Sequence, residues 1–420
     1  MLLLVVRSPA AVADLVMAAV NPVVLMVDNR LFPAPIPSLR FMRREGMEWL
    51  AIGENEDYFG DEIIGISESE VREWTQAAQH SFAALKATAR NLAQRQQFRE
   101  LGIPHNAQRL IQYSVENEMD DFLLGRFDFA GGFGDYPIKM LEFNADTCSL
   151  IPETAHVQRH LWVEMKKKQG SGPFDQLLAA LTDRFRRLLK QYPDKEPHLL
   201  LSTLGYEEDW LNVDVLAEAA EAAGFQQVHK VALEAVIFDP EEGVFIEIGP
   251  ERFVHFDFWY KMIPWDFIAY EEPDLMNLLT DLVMDDKVKI LNPAWTMLIQ
   301  SKGVLPFVQK DHPNEPALLK AGFSASDFPD GRYARKPIFG RTGENVALFD
   351  GDARPMAEND GDYGSLPPVY QELASFAIDN EGYRYQGSVF YTDHPAAIGF
   401  RRQDDLIIDD DAEFVGHTVL

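Results

Sequence analysis

The residues of this chain best equipped for chemistry lie in GRFDFAGGFGDYPIKMLEFNAD, residues 125–146. Read as two strands around a glycine-rich turn, the segment puts Arg126 and Asp128 on one face and Phe127 and Phe129 on the other, because residues two apart share a face. The return strand repeats the pattern, with Glu142, Asn144 and Asp146 alternating with Leu141, Phe143 and Ala145. Pairing Arg126 with Asn144 and Asp128 with Glu142 gives an index sum of 270 both times, as one antiparallel register requires. The polar groups then converge on one patch. Two carboxylates and an amide oxygen are the hard ligands that Mg2+ takes while it also holds nucleotide phosphates. Arg126 would balance the acids and face an anionic substrate or intermediate, where a planar guanidinium grips at two points. The competing reading of the same hairpin is a solvated acidic face.

A second cluster is KPIFGRTGENV, which brings Lys336, Gly340, Arg341 and Gly343 within one short stretch, a composition suited to a mobile loop closing over phosphate. Glycine-rich turns carrying a stray Lys and Arg are common, so the loop gains weight only beside the hairpin. Lys302, in QSKGVLP, is a possible second phosphate contact. GxxxxGK[ST], GxGxxG after a strand, HExxH, GxSxG and CxxC are all missing, which removes the usual support for P-loop, dinucleotide, zinc-protease and hydrolase-elbow readings. The ten His are scattered and read as structural.

Several elements must position these groups. The N-terminal 28 residues read as strand, helix, strand, since Arg7 and Asp14 interrupt what would otherwise resemble a targeting segment. Ser67 to Glu70 has capping-box spacing and opens a long amphipathic helix running through QFREL, closed by Gly102 and Pro104. A helix near Glu153 to Lys167 precedes KKKQGSGP, a basic, flexible connection and a candidate lobe boundary. Residues 198–205, a helix over about 208–222 and the run after Gly224 form a strand-helix-strand unit, followed by a hairpin around Pro240 to Gly243 and a helix over about 272–285. Strands in YRYQGSVFY and AAIGFRR close the chain after a loop of Asp, Pro and Gly at 350–368. The expected division is an N-terminal segment with the long helix over 1–120 and a second region over 121–420, with the strand-helix-strand lobe at about 170–250.

Composition sets outer bounds. The chain has 420 residues, 46% hydrophobic, enough for a large core and two or three lobes. A formal charge of −29 argues against nucleic-acid and anionic-membrane partners, whose binding rests on Lys and Arg neutralising phosphate. It permits a cationic amine substrate, although acidity also serves plain solubility. Cys148 is the only cysteine, so no intrachain disulfide or thiolate zinc set is available and a cytoplasmic location is expected.

Taken in order, RFDFA, LEFNAD, NPAWTMLIQSK, KPIFGRTGENV and GFRRQDDLI followed by FVGHTVL resemble the synthetase domain of the glutathionylspermidine synthase family, including its short bacterial members without an amidase domain, from about Gly46 to Leu420. The resemblance implies an α+β fold with an ATP-grasp-like nucleotide clamp and an adjoining pre-ATP-grasp-like strand-helix-strand lobe. It implies ATP and Mg2+ as cofactors, with Asp128, Glu142 and Asn144 matching the family's magnesium ligands and Arg126 its catalytic arginine. Lys302 and Lys336 match ATP-contacting lysines, and Arg341 the arginine of the loop, with Gly340 and Gly343, that closes on the reaction centre. Arg401 matches a further nucleotide contact, with Arg402 adjacent. Thr147 and Ser149 fall where the family places hydroxyls near a thiol peptide, and Glu207 or Glu208 where it places an acid near the amine. Met262 stands where a substrate-binding threonine is expected, and residues 224–249 match the glutathione-using members poorly. The implied activity is ATP-dependent ligation of a small-molecule carboxylate to an amine through an acyl phosphate, a glutathione-like peptide and a spermidine-like polyamine being one pairing. A catalytically degenerate ATP-binding regulatory or scaffold module is the alternative.

Overall fold

Alternating phenylalanines build the central hairpin. Phe127, Phe129 and Phe143 are buried, and the rings of Phe127 and Phe143 stack across the strands with centroids 4.0 Å apart. In the computed structural model, which describes residues 27–51, 57–134 and 136–420, strands Gly125–Ala130 and Lys139–Asn144 pair Arg126 with Asn144 and Asp128 with Glu142. The index sum therefore identifies the register. Beyond Asp128 the register slips, Phe129 pairs with Met140, and Leu141 is the extra residue of a bulge. The turn depends on glycine: Gly131 and Gly132 have φ of +78° and +80°, and a Cβ on them would meet the Pro137 carbonyl oxygen at 2.2 Å and the Trp74 ring at 2.3 Å.

This hairpin forms one edge of an eight-stranded sheet. From the other edge the order is Leu31–Pro33, Phe59–Ile66, Glu413–Val419, Pro395–Gln403, Arg384–Tyr391, Gly125–Ala130 and Lys139–Asn144, with Ala377–Ile378 beside Arg384–Tyr391. Phe59–Ile66 runs parallel to Glu413–Val419, whereas the other pairs are antiparallel. Strands from both ends of the described chain thus share the sheet that carries the hairpin.

The long helix covers Glu68–Gln94 and packs Trp74 edge-on against Phe129, Phe133 and Phe400. Its capping box forms as expected, with Ser67 Oγ accepting from the Glu70 amide at 3.2 Å and the Glu70 carboxylate accepting from the Ser67 amide at 2.8 Å. The helix ends earlier than the amphipathic pattern indicates. Gln96 turns the chain with φ +55°, and QFREL supplies only a short 3-10 turn, Arg99–Leu101, before Gly102. Likewise, the helix expected over Glu153 to Lys167 begins with a π turn, Glu153–Val157, continues through Gln158–Glu164 and stops before Lys166 and Lys167, whose φ values are positive. The KKKQGSGP loop is fastened to the C-terminal strand: the Ser171 amide donates to Val419 O at 2.7 Å and the Gly172 amide to Thr418 Oγ1 at 3.2 Å.

Strands His198–Thr203 and Gln227–Ala232, joined by helix Glu207–Ala223, pair in parallel. The sheet extends past the expected lobe, because Phe258–Lys261 and Lys289–Leu291 join it in the order 289–291, 258–261, 198–203, 227–232. The direction of winding reverses between Thr203 and Lys261, leaving a crevice at the carboxyl ends of those two strands. The hairpin expected around Pro240 to Gly243 forms between Val236–Asp239 and Gly243–Gly249 within a three-stranded sheet. A five-stranded antiparallel sheet, in which Arg332–Pro337 is central, carries the Lys336 to Gly343 loop. The expected strand-helix-strand that lies over residues 1–26 falls outside the described residues. The architecture is mixed α/β, and no described helix is long and apolar enough to cross a membrane.

Candidate active site

The hairpin, the five-stranded sheet and the crevice of the parallel sheet enclose a cavity of about 510 Å3. Arg126 and Asp128 stand on its floor as a fork: Arg126 Nε donates to Asp128 Oδ1 at 2.8 Å and its Nη2 to Oδ2 at 2.9 Å. Both side chains are almost fully buried. Burial alone would weaken the guanidinium's hold on its proton, but the Asp128 carboxylate more than reverses this. The remaining Arg126 nitrogen donates to Ser149 O at 2.9 Å, anchoring the stretch that follows the hairpin.

Glu142 is opposed by cations from two other elements. Lys302 Nζ lies 3.0 Å from Glu142 Oε2 and donates to Gly340 O at 2.8 Å, so one ammonium ties the hairpin to the loop. Burial pushes the Glu142 carboxyl up, while Lys302 and Lys336 outweigh that push and hold it at about 2. Lys336 donates to Gln371 Oε1 at 2.7 Å, and burial lowers it to about 8 despite the Glu142 charge. Arg341 reaches across the cavity to Asp266, with bonds of 2.7 and 3.2 Å, and lies over the Phe267 ring at 4.7 Å.

Strand alternation separates the two neighbouring arginines. Arg401 faces the cavity, donating to Asp409 O at 3.0 Å with its Nε buried and unpartnered. Arg402 points to the opposite face, where Asp61, Glu62 and Glu413 take it at 3.1, 2.8 and 2.8 Å. Thr147, Ser149, Gly340 and Gly343 also line the cavity, and so does Glu208. Glu207, in the first turn of the same helix and exposed like Glu208, does not. Asp146, placed by simple alternation on the acidic face, is instead turned beneath the hairpin to Lys261 at 2.9 Å, because the strand ends at Asn144.

Other residues in and around the cavity, of which Ser388 and Asp266 support it from behind and Gln371 lines it, carried no signal of their own in the sequence. Ser388 donates its hydroxyl to Asp128 Oδ1 at 2.8 Å from the strand opposite, a contact that exists only once Arg384–Tyr391 pairs with the hairpin. Asp266 and Gln371 are the partners of Arg341 and Lys336. Near Glu208, burial together with the Glu208 charge raises Asp209 to about 7, and burial raises Asp410 to about 6. Cys148, between Thr147 and Ser149, is raised by burial to about 12 and is a poor nucleophile.

Whether the hairpin suits a metal ion can be judged from Asn144. Its amide nitrogen lies 3.0 Å from Asp128 Oδ2 and 3.5 Å from Glu142 Oε1, a point that both carboxylates face. Turning that amide over would direct three oxygens to one point, a donor set suited to Mg2+. Among the described residues no three His, Cys, Asp or Glu side chains converge as a metal cage, so an ion here would rely on the amide and on ligands from a bound molecule.

In a chain of net charge −29, Arg126, Lys302, Lys336 and Arg401 gather around the Asp128–Glu142 pair and Arg341 faces the same cleft from Asp266, which defines a mixed α/β protein with a cleft lined by both signs of charge. The chain belongs to the glutathionylspermidine synthase preATP-grasp family, whose model matches residues 36–420. It is 27% identical over 316 residues to a Haemophilus influenzae protein provisionally named acid–amine ligase, covering 74% of this chain and 77% of that protein. It is also 27% identical over 344 residues to trypanothione synthetase of Crithidia fasciculata, covering 79% of this chain and 52% of that one. With the bifunctional glutathionylspermidine synthetase/amidase of Escherichia coli it shares 24% identity over 285 residues, 63% of this chain and 44% of the enzyme. The chain therefore spans about half the length of these last two relatives or less. A glutathione synthetase-like effector from Globodera pallida overlays with a TM-score of 0.49 at 10% identity, covering 85% of this chain and 89% of that one.

Proposed function

We propose that this protein is an ATP-dependent carboxylate–amine ligase that activates a small carboxylate as its acyl phosphate and transfers the acyl group to an amine. The observation carrying the proposal is the set of four cations, Arg126, Lys302, Lys336 and Arg401, around the Asp128–Glu142 pair, with Arg341 on the facing wall, in a strongly acidic chain whose family relatives bear ligase and synthetase names. A carboxylate resists attack by an amine because its negative charge would have to be displaced as oxide. The carboxylate oxygen bonds to the γ-phosphorus of ATP as the Pγ–O bond to the β-phosphate breaks and ADP leaves, which makes phosphate the leaving group of the acyl phosphate. The amine lone pair then attacks the carbonyl carbon, the C–O bond breaks to release phosphate, and the nitrogen loses a proton.

Each side chain has a task in this scheme. Lys302, Lys336 and Arg401 hold phosphate oxygens, and the Gly340 to Gly343 segment closes over them, excluding water that would hydrolyse the acyl phosphate. Arg126 faces the carbonyl and phosphoryl oxygens as charge develops; loss of one such donor typically costs about 3–4 kcal/mol of activation energy. Arg341 stabilises the transferring group from the opposite wall. Asp128, Glu142 and Asn144 would hold Mg2+, which when bound neutralises phosphate charge. Thr147 and Ser149 lie on the carboxylate side and Glu208 on the amine side, with Asp209 and Asp410 close to it in charge interaction. A glutathione-like peptide and a spermidine-like polyamine are the first substrates to try, although Met262 offers only a thioether where a hydroxyl would discriminate.

The test is an ADP-release screen of small carboxylates crossed with amines in the presence of magnesium and ATP, with products identified by mass. A protein that binds ATP and releases ADP with no pair would be the degenerate nucleotide-binding module instead.

A further inference from the structure

The most completely buried ion pair near the cavity is Lys261 with Asp146, and neither group touches the cavity itself. Lys261 Nζ donates to Asp146 Oδ1 and Oδ2 at 2.9 and 3.1 Å and to Ile263 O at 2.9 Å, which uses all three of its protons. Asp146 Oδ2 also accepts the Trp265 amide at 2.7 Å, and Lys261 lies 4.2 Å from the centre of the Trp265 ring. The Trp265 indole donates to Asn292 O at 2.9 Å, and the Asn292 amide returns to Asp146 O at 2.8 Å. A buried charge pair of this kind adds little to stability over an apolar pair of similar volume, so its retention needs another reason.

That reason lies one residue further along. The turn from Ile263 to Trp265 is held at both its carbonyl and its amide by the pair, and it leads directly into Asp266 and Phe267. Those two residues receive Arg341, through two hydrogen bonds and a ring face. A shift of the turn moves both contacts together. Lys302 and Lys336 are seated elsewhere, on Gly340, Glu142 and Gln371, and do not depend on it.

We propose that Lys261 and Asp146 are positioning residues that fix the Ile263–Asp266 turn and, through Asp266, set where Arg341 stands over the cavity. For turnover this rests on the ligase reading, but the placement of Arg341 can be measured without any reaction. The informative variant is the double replacement Asp146→Leu with Lys261→Met, which removes both charges at once and leaves no ion unpaired.

Two readouts are taken on the full chain against wild type: the rate of trypsin cleavage after Arg341, and kcat and KM for ATP once an active substrate pair is known. The proposal expects cleavage after Arg341 to rise at least about tenfold in the double variant while its melting temperature stays near that of wild type, since protease access follows local opening. It also expects kcat to fall at least about tenfold with KM for ATP changed less than about threefold, as for an interaction felt in the transition state. Asp266→Asn, combined with the double variant, should add little further loss, because both act through Arg341. Wild-type cleavage rate and kcat in the double variant would overturn the proposal and leave the pair a packing feature. Should the double variant fail to fold, Asp146→Asn with Lys261→Met, which also leaves no ion unpaired and keeps an acceptor for the Trp265 amide, is read in the same way at a temperature where its circular dichroism is native. If wild type turns over nothing, accelerated cleavage still supports the placement while the ligase reading falls.

Discussion

Arg126 and Asp128, two residues apart on one strand, hold each other in a two-point fork at 2.8 and 2.9 Å with both side chains almost fully buried. This fork changes how the floor of the cavity should be tested. Asp128→Ala would leave a buried guanidinium without its counter-charge, a change that typically costs about 3–5 kcal/mol, so lost activity could reflect unfolding. Asp128→Asn removes the same counter-charge but keeps the volume and one acceptor for the guanidinium, so it destabilises less than Asp128→Ala. It should lower the melting temperature only moderately and reduce ADP release at least about a hundredfold, as expected when a preorganised charge at the reaction centre is lost. ADP release close to wild type in a folded Asp128→Asn protein would remove Asp128 from the metal and phosphate site.

Lys336 gives a pH prediction. Burial lowers its ammonium to about 8, so near that pH part of the free protein carries it neutral. A bound phosphate favours the charged form, so nucleotide binding should take up protons around pH 8 and weaken as pH rises further. Binding enthalpies measured in buffers of different ionisation enthalpy will show that uptake, and Lys336→Arg should abolish it. The stability term has the opposite sense. Because the folded pKa lies below the unfolded value, the unfolded chain binds more protons between about pH 8 and 10.5, and this group's contribution to stability rises with pH across that window.

The neighbouring arginines should separate cleanly. Arg401→Ala should weaken ATP binding with little change in melting temperature, since it gives up one hydrogen bond, to the Asp409 carbonyl, while its buried Nε has no protein partner. Arg402→Ala should do the reverse. It removes contacts with Asp61, Glu62 and Glu413 that join three strands and should cost roughly 1–3 kcal/mol while leaving nucleotide affinity unchanged. Thermal melts with and without ATP measure both effects.

Cys148 should be inert despite lining the cavity. With its thiol raised to about 12 by burial, almost no thiolate exists at pH 8. Iodoacetamide should label it only after denaturation, and rapid labelling of the folded protein would mean that this stretch opens readily.

These contrasts also indicate what a linear sequence can reveal. The hairpin register was legible because a period of two on both strands and one apolar row of phenylalanines admit a single pairing. The strand-helix-strand unit and the Ser67 cap were legible for the same local reasons. The helix end was not, since Gln96 adopts a left-handed turn that nothing in its residue type announces. Glu207 and Glu208 look equivalent in sequence and both are exposed, yet only Glu208 reaches the edge of the cavity. Ser388, Asp266 and Gln371 were hidden because each gains its role from a contact across elements far apart in the chain. Asp146 was misread because alternation holds only while the strand continues, and this one stops at Asn144.

The central claim is tested most directly by incubating the full chain with ATP and magnesium and measuring ADP across carboxylates and amines, singly and in pairs. The account predicts ADP formed in step with an amide product when a suitable carboxylate and amine are both present, and loss of both signals in Arg126→Gln protein that still binds ATP. Tight ATP binding with no ADP above background for every pair would contradict it.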